Sequence, residues 1–230
     1  VAVPLMTGYG VVIPAFNAAA TIAETLDSVM AQTVRAEAVI VVDDGSTDDT
    51  VAVINAMNLP VTVLRQDNAG PGSATTRGLA ALSTPLVATL DADDLWLPHK
   101  IEKQLEYLDR NPGIAGVFSH WRVFRNNRPD LPEGPELAGW SRTTMMIRRQ
   151  VVASVGPIVD PQGGRGEMID WIARVREADF GLTMLDDVLA LRRIRPGSLS
   201  YGRDPARDRG YLEVARLALQ RRTRNRAGTA

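Results

Sequence analysis

Four short apolar runs in the first ninety residues, each followed by a stretch of helical character, limit this chain to very few folds. They are residues 10–13 (Gly-Val-Val-Ile), 37–42 (Glu-Ala-Val-Ile-Val-Val), 61–64 (Val-Thr-Val-Leu) and 85–90 (Pro-Leu-Val-Ala-Thr-Leu). Apolar runs of this length, bounded by Pro, Gly or Asp, read as strands, the first and fourth of them buried. Between the first two, Ile22, Leu26, Val29 and Met30 recur at helical spacing, with Thr21 as N-cap and Glu24 as its capping-box partner. Asp48 and Asp49 precede a helix over 51–57, where they suit its positive end. The loop 68–73 leads into a third helix ending near Ala81. Strands alternating with helices predict an open, mostly parallel α/β sheet with right-handed crossovers and helices on both faces.

The second half is less regular. Residues 98–108 predict an amphipathic helix and 115–118 a strand. Residues 125–139, rich in Pro, Asn, Gly and charge, read as a long loop, either a substrate lid or a mobile connection. Strand character returns over 143–147, and Gly163-Gly164-Arg165-Gly166 forms a hinge before a helix over 167–178. Two short strands follow at 182–185 and 188–191, and then an arginine-rich helix or tail over 211–226.

Charge and residue usage narrow the chemistry. A net charge of −1 argues against nucleic acid as a partner. The absence of cysteine excludes disulfides and thiolate metal sites and fits a reducing, cytoplasmic setting. Two histidines, His99 and His120, cannot build a multi-histidine metal site. No apolar run has the length of a membrane span. The basic stretch 216–226 suits weak contact with an anionic membrane surface, the inner face of the cell membrane, or a solvated end.

Carboxylates stand where the predicted strands end. Asp91, Asp93 and Asp94 follow the fourth run directly, at the mouth of an open α/β sheet where ligands bind. Such a cluster repels itself unless a hard divalent cation joins it; taken alone it reads equally as an acidic turn that caps the next helix. Asp43-Asp44-Gly45-Ser46 ends the second run, and a carboxylate there can accept a base N–H or ribose hydroxyls. Phe16, just beyond the first run, can stack on a base or staple the following helix. The small residues of 68–73 place backbone N–H groups at a helix start, suited to a diphosphate.

In this order, Val-Val-Ile-Pro-Ala-Phe-Asn (11–17), Val-Ile-Val-Val-Asp-Asp-Gly-Ser-Thr-Asp (39–48), Asn-Ala-Gly-Pro (68–71) and Leu-Asp-Ala-Asp-Asp-Leu-Trp (90–96) resemble the signature of family 2 glycosyltransferases. The resemblance is close over 10–110 and weaker over 143–200. It implies a GT-A fold, Rossmann-like with a smaller mixed acceptor-side region, and transfer of a sugar from a nucleotide-diphosphate donor, by default a UDP-sugar, with inversion and Mn2+ or Mg2+. Residues 1–110 would form the donor-binding half, 111–205 the acceptor-binding and catalytic half of the same domain, and 206–230 a basic C-terminal helix or tail. Pro14, Phe16 and Asp44 would frame the base, Asp91 would lie near the ribose, and Asp93 would bind the metal. Asn17, Asp43, Asn68, Gly70, Arg77 and Ala92 complete the implied donor site, and Asp94 would cap the next helix.

The family's catalytic base comes from a Glu-Asp pair at a helix start. Here the stretch reads Gly166-Glu167-Met168-Ile169-Asp170-Trp171, so an ungapped match puts Met168 on the second acid. Glu167 and Asp170 share a helix face and both stay candidates, with Asp170 slightly favoured. Where relatives carry Arg-Asn this chain has Thr75-Thr76, with Arg77 two residues later, and where they carry His-Pro or His-Gly it has Arg195-Pro196-Gly197-Ser198. Arg195 suits a phosphate clamp or a solvated basic turn. His120-Trp121 could line an acceptor pocket, with a satisfied buried His120 as the alternative, and Trp140 and Trp171 are stacking or core residues. The acceptor, a glycan, lipid-linked sugar, natural product or peptide hydroxyl, is not specified. Two alternatives remain. A nucleotide-sugar-binding module without turnover would explain Met168, Thr75 and Arg195. A sugar-phosphate nucleotidyltransferase would want a basic Gly-rich loop after the first strand, where Ala18-Ala19-Ala20 stand instead.

Overall fold

The computed structural model describes residues 8–125, 128–195, 202 and 204–227. Its strands are β1 (Tyr9–Ala15), β2 (Ala38–Asp43), β3 (Thr62–Arg65), β4 (Leu86–Thr89), β5 (Leu95–Trp96), β6 (Ile114–Phe124), β7 (Glu133–Ala138), β8 (Met146–Arg148) and β9 (Gly181–Arg193). Its helices are α1 (Ile22–Met30), α2 (Thr50–Ala56), α3 (Pro71–Ala81), α4 (Lys100–Arg110), α5 (Arg149–Val155), α6 (Glu167–Glu177) and α7 (Pro205–Ala227). The order β3-β2-β1-β4 is parallel throughout. Past β4 the sheet is mixed: β8 is antiparallel to β4 and β6, β9 is parallel to β6, and β5 pairs antiparallel with β9.

The central strand explains why both faces carry helices. Along β1, Val11 and Ile13 enter one core with Ile22, Leu26 and Val29 of α1 and Ile101, Leu105 and Leu108 of α4. Val12, pointing the other way, joins Ala74 and Leu79 of α3, Val151 of α5, and Trp171, Ile172 and Val175 of α6. This is the two-residue side-chain period of a strand buried on both sides. Helix α3 lies close to the sheet because Gly78 has no side chain: a Cβ there would stand 2.3 Å from Val12 Cγ1.

Several local expectations change. Residues 125–139 are not one loop, because β7 pairs antiparallel with β6. All six β7 residues are exposed, so backbone pairing forms this strand without the apolar alternation that sequence reading needs. The strands expected at 182–185 and 188–191 are one strand, β9. Exposed Asp186 and Asp187 bulge out where Ser119 pairs Leu185 and His120 pairs Val188, so charge breaks the pattern but not the pairing. The stretch 143–147 begins as a 3-10 turn, Arg142–Thr144, before β8. Thr21 makes no side-chain cap; its hydroxyl donates to Ala92 O at 2.9 Å, and Glu24 pairs with Arg193. The C-terminal segment is no frayed tail: α7 packs on α6, with Arg221 donating to Asp170 and Glu177 and Asp208 accepting from Arg165. Asn126, Asn127, and Pro196 to Ser200 lie outside the described residues. Among the described residues, no helix is long and apolar enough to cross a membrane.

Candidate active site

β1, β2 and β4 all end at the same edge, and the residues just past them open into a cavity of about 620 Å³. Pro14, Phe16, Asp44, Asn68, Gly70, Asp91, Ala92, Asp93, Glu167 and Arg195 all line it. Phe16 is half exposed, its ring available at the rim. Trp121, Ser141, Arg142, Asp160, Arg192, Arg193 and Tyr211 line it as well.

Asp44 is buried and fully engaged, accepting from Ala69 N and Gly70 N at 2.9 Å each and from Gln66 Nε2 at 2.7 Å. It therefore ties the end of β2 to the loop before α3. The first amides of α3 are taken as well: Asp160 accepts from Gly72 N at 2.9 Å and Ser73 N at 2.8 Å. Gly70, at φ +96°, and Gly72 leave room for that carboxylate, since a Cβ on either would come within 2.9 Å of it. This corrects the expectation that these N–H groups await a diphosphate. Four of them are already bound to Asp44 and Asp160. Burial raises the Asp160 carboxyl, and the two helix amides pull it back.

The aspartate turn is fixed from three sides. Thr21 and Thr25 hydroxyls donate to Ala92 O, Arg193 Nε donates to Asp93 O at 2.8 Å, and Thr143 Oγ1 reaches Asp94 Oδ2 at 2.5 Å. Asp94 is 3% exposed and also accepts from Arg193 N at 2.8 Å. It is thus an internal anchor and not a helix cap; α4 starts at Lys100 with His99 at its N-cap position. Burial, then the charges of Asp93 and Asp91, push the Asp94 carboxyl well above the usual range. Asp93 faces the cavity, with Oδ2 at 3.6 Å from Arg195 Nε. Burial and then Asp91 raise its carboxyl too, against the pull of Arg195 and Arg193.

Among the described residues no three His, Cys, Asp or Glu side chains converge as a metal cage. Asp93 with Asp91 beside it does fit a divalent cation shared with phosphate oxygens, which takes only one or two protein carboxylates. A cation there would relieve a repulsion already built into the turn.

The two candidate bases part company. Glu167, first residue of α6, lines the cavity; its Oε1 accepts from Arg142 Nη1 at 2.6 Å, and Oε2 has no hydrogen-bond partner among the described residues. Asp170 lies outside the cavity lining, one oxygen held by Arg174 Nε at 2.9 Å and the other by Arg221 Nη1 at 2.8 Å. Geometry thus puts Glu167, and not the slightly favoured Asp170, at the cavity: the helix phase of Asp170 points it at α7. Three expected donor residues also stand outside the lining. Arg77 is exposed on α3, because Thr75 and Gly78 take the sheet-facing positions. Asn17 builds a turn, accepting from Thr47 N at 2.9 Å. Asp43 is buried against Arg65 and Ser46 N.

Sequence reading missed Arg142, Asp160 and Arg193. Each acts across a long separation, so no local spacing marks it; a lone arginine just before the apolar-rich Thr-Thr-Met-Met-Ile stretch was the one available sign. Of His120-Trp121 only Trp121 lines the cavity, with Arg192 over its ring at 4.9 Å. Trp171 is a core residue, and Trp140 packs on Phe118 at 4.8 Å. His99 is a surface residue paired with Glu102.

Comparison with known proteins bears on this arrangement. The family model described as "Glycosyl transferase family 2" matches residues 10–159. An uncharacterised glycosyltransferase of Nostoc is 33% identical over 174 residues, 66% of this chain and 53% of that protein. The succinoglycan biosynthesis protein ExoU of Rhizobium meliloti is 39% identical over 99 residues, 41% of this chain and 29% of that one. The chain thus spans about half, or less, of these curated relatives. Among solved structures, S. aureus TarS with UDP-GlcNAc superposes with a TM-score of 0.75 at 21% identity, over 92% of this chain and 65% of that one. Glucosyl-3-phosphoglycerate synthase of Mycobacterium tuberculosis, with Mn2+, UDP and phosphoglyceric acid, gives 0.60 at 24% identity, over 82% and 72%. At these identities the structural matches establish the shared GT-A fold.

Proposed function

The chain belongs to glycosyl transferase family 2, and from that premise we propose that it moves a sugar from a nucleotide-diphosphate donor, a UDP-sugar first, to an acceptor hydroxyl with inversion. The observation that carries this reading is one cavity shared by Phe16, Asp44, Asp91 and Asp93 at the strand ends and Glu167 on the facing helix. Residues 1–110 would serve the donor and 111–205 the acceptor. Phe16 and Pro14 would flank the base, the Asp44-braced loop would bound its pocket, and Asp91 would face the ribose. In the displacement, the acceptor oxygen attacks the anomeric carbon and the bond to the diphosphate breaks, its electron pair leaving with the phosphate. Glu167 takes the acceptor's proton, for which its Oε2 is available. Asp93 would hold Mn2+ or Mg2+, which when bound supplies positive charge for the departing diphosphate. Arg195, at the same end of the cavity, would add a charge-assisted contact to phosphate. The exposed Arg216, Arg222 and Arg224 of α7 suit an anionic membrane surface near a lipid-linked acceptor.

Met168 lines the cavity where relatives place the second acid, which favours a second reading, nucleotide-sugar binding without turnover. One experiment separates the two. Release of UDP from a panel of UDP-sugars with Mn2+ is expected for the wild type. Glu167→Gln should lower it by about 10²–10⁴-fold while UDP still binds. Asp170→Asn should keep it within about threefold, since that group is spent on Arg174 and Arg221. Donor binding with no release under any condition would favour the module.

A further inference from the structure

Arg142 is a buried cation that bridges Asp91, just past β4, and Glu167, at the start of α6. Its side chain is 8% exposed; Nε donates to Asp91 Oδ1 at 2.7 Å and Nη1 to Glu167 Oε1 at 2.6 Å. The main chain beneath it is fixed to the sheet, since Arg142 O accepts from Thr89 Oγ1 at 2.8 Å and from Met145 N at 3.2 Å. Thr89 is the last residue of β4, two positions before Asp91. The guanidinium is therefore held by the element that ends in the aspartate turn, and it reaches across to the first residue of α6. The approach to α6 runs through Gly163, Gly164 and Gly166, all at positive φ. Glycines accept many backbone directions, so where Glu167 stands must be set by contacts elsewhere. Burial works against the charged guanidinium, but Asp91 and then Glu167 outweigh it and hold Arg142 firmly protonated.

We propose that Arg142 is a positioning residue for the proton acceptor: its planar fork spans Asp91 and Glu167 and fixes the distance between Glu167 and the donor side of the cleft. The proposal rests on the reading of Glu167 as the base of a sugar transfer. Both contacts use nitrogens in one rigid plane, so the position of one carboxylate constrains the other. A lysine presents a point charge on a flexible stem and can satisfy one carboxylate but not hold two at a set separation. Misplacing a proton acceptor by about an ångström is enough to cost on the order of a hundredfold in rate.

The test uses the full chain with Mn2+ and a UDP-sugar that the wild type turns over, measuring turnover number, donor KM, and UDP affinity by calorimetry. Arg142→Gln and Arg142→Lys should each lower the turnover number by about 10–100-fold, with a smaller change in donor KM and UDP affinity, since Asp91 keeps its contact with Thr143 Oγ1 at 3.4 Å. Placing Arg142→Gln on top of Glu167→Gln should add almost nothing, because a residue that acts through Glu167 has no effect once the base is gone. A merely structural residue would multiply its loss onto the Glu167→Gln variant. Should Arg142→Gln not fold, Arg142→Lys keeps the buried charge and carries the comparison alone. Full turnover in Arg142→Lys, a loss confined to donor KM, or multiplied losses in the double variant would each overturn the proposal. A wild type that releases no UDP from any donor refutes the transfer reading itself, and does so before any Arg142 variant is compared.

Discussion

Replacing Asp160 by alanine should loosen the start of α3 more than an average loop substitution. Its carboxylate receives two amide bonds, from Gly72 N at 2.9 Å and Ser73 N at 2.8 Å, at the positive end of that helix. Two charge-assisted bonds at about 1.5–3 kcal/mol each set an upper figure of about 3–6 kcal/mol. Burial already works against the ionised form, and the vacated amides border an open cavity where water can replace the carboxylate. About half should remain, roughly 2–3 kcal/mol. For a chain of this size that lowers Tm by about 4–12 °C. Urea titration should show a lower midpoint with an unchanged slope. Asp160→Asn, which keeps one acceptor oxygen, should lose about half as much. A loss in Asp160→Ala below about 0.5 kcal/mol, the level of an ordinary surface change, would refute the claim that this side chain braces the helix.

Two other outcomes follow from buried charge. Lys100 is fully buried, over the Trp96 ring at 4.2 Å and donating to Gln104 Oε1 at 2.7 Å, and burial lowers its amine well below the ordinary lysine range. Between that lowered value and about 10.4 the unfolded chain binds the extra proton, so stability should rise with pH across the window. Urea midpoints from pH 7 to 9.5 should climb in the wild type and climb less in Lys100→Met; parallel curves would contradict the burial argument. Asp170→Ala takes the carboxylate from Arg174 Nε and Arg221 Nη1 between α6 and α7, and should cost about 1–3 kcal/mol in the same titration while UDP release persists. A collapse of turnover without loss of stability would restore Asp170 as the base.

What sequence could and could not disclose follows the range of the forces involved. β1, β2 and β4 are legible because burial on both faces makes them continuous apolar runs, and Asp44, Asp91 and Asp93 stand out because they follow those runs at the edge where the cavity opens. β7 was not, since its six residues are all exposed and its place is set mainly by backbone pairing with β6. Asp43 and Asp44 look alike in a string of letters; one turns inward to Arg65 and Ser46, the other toward the loop before α3. Helical phase puts Arg77 and Asp170 outside the cavity lining. The bracing groups, Arg142, Asp160 and Arg193, act on partners 25 to 169 residues away, where only the folded chain reveals them.

Calorimetric titration of UDP with and without Mn2+, in the wild type and in Asp93→Ala, tests the donor-site assignment most directly. The wild type should bind UDP at least about tenfold more tightly with Mn2+, and Asp93→Ala should lose that gain while keeping the metal-free affinity. An equal Mn2+ gain in Asp93→Ala, or no UDP binding by the wild type, would contradict it.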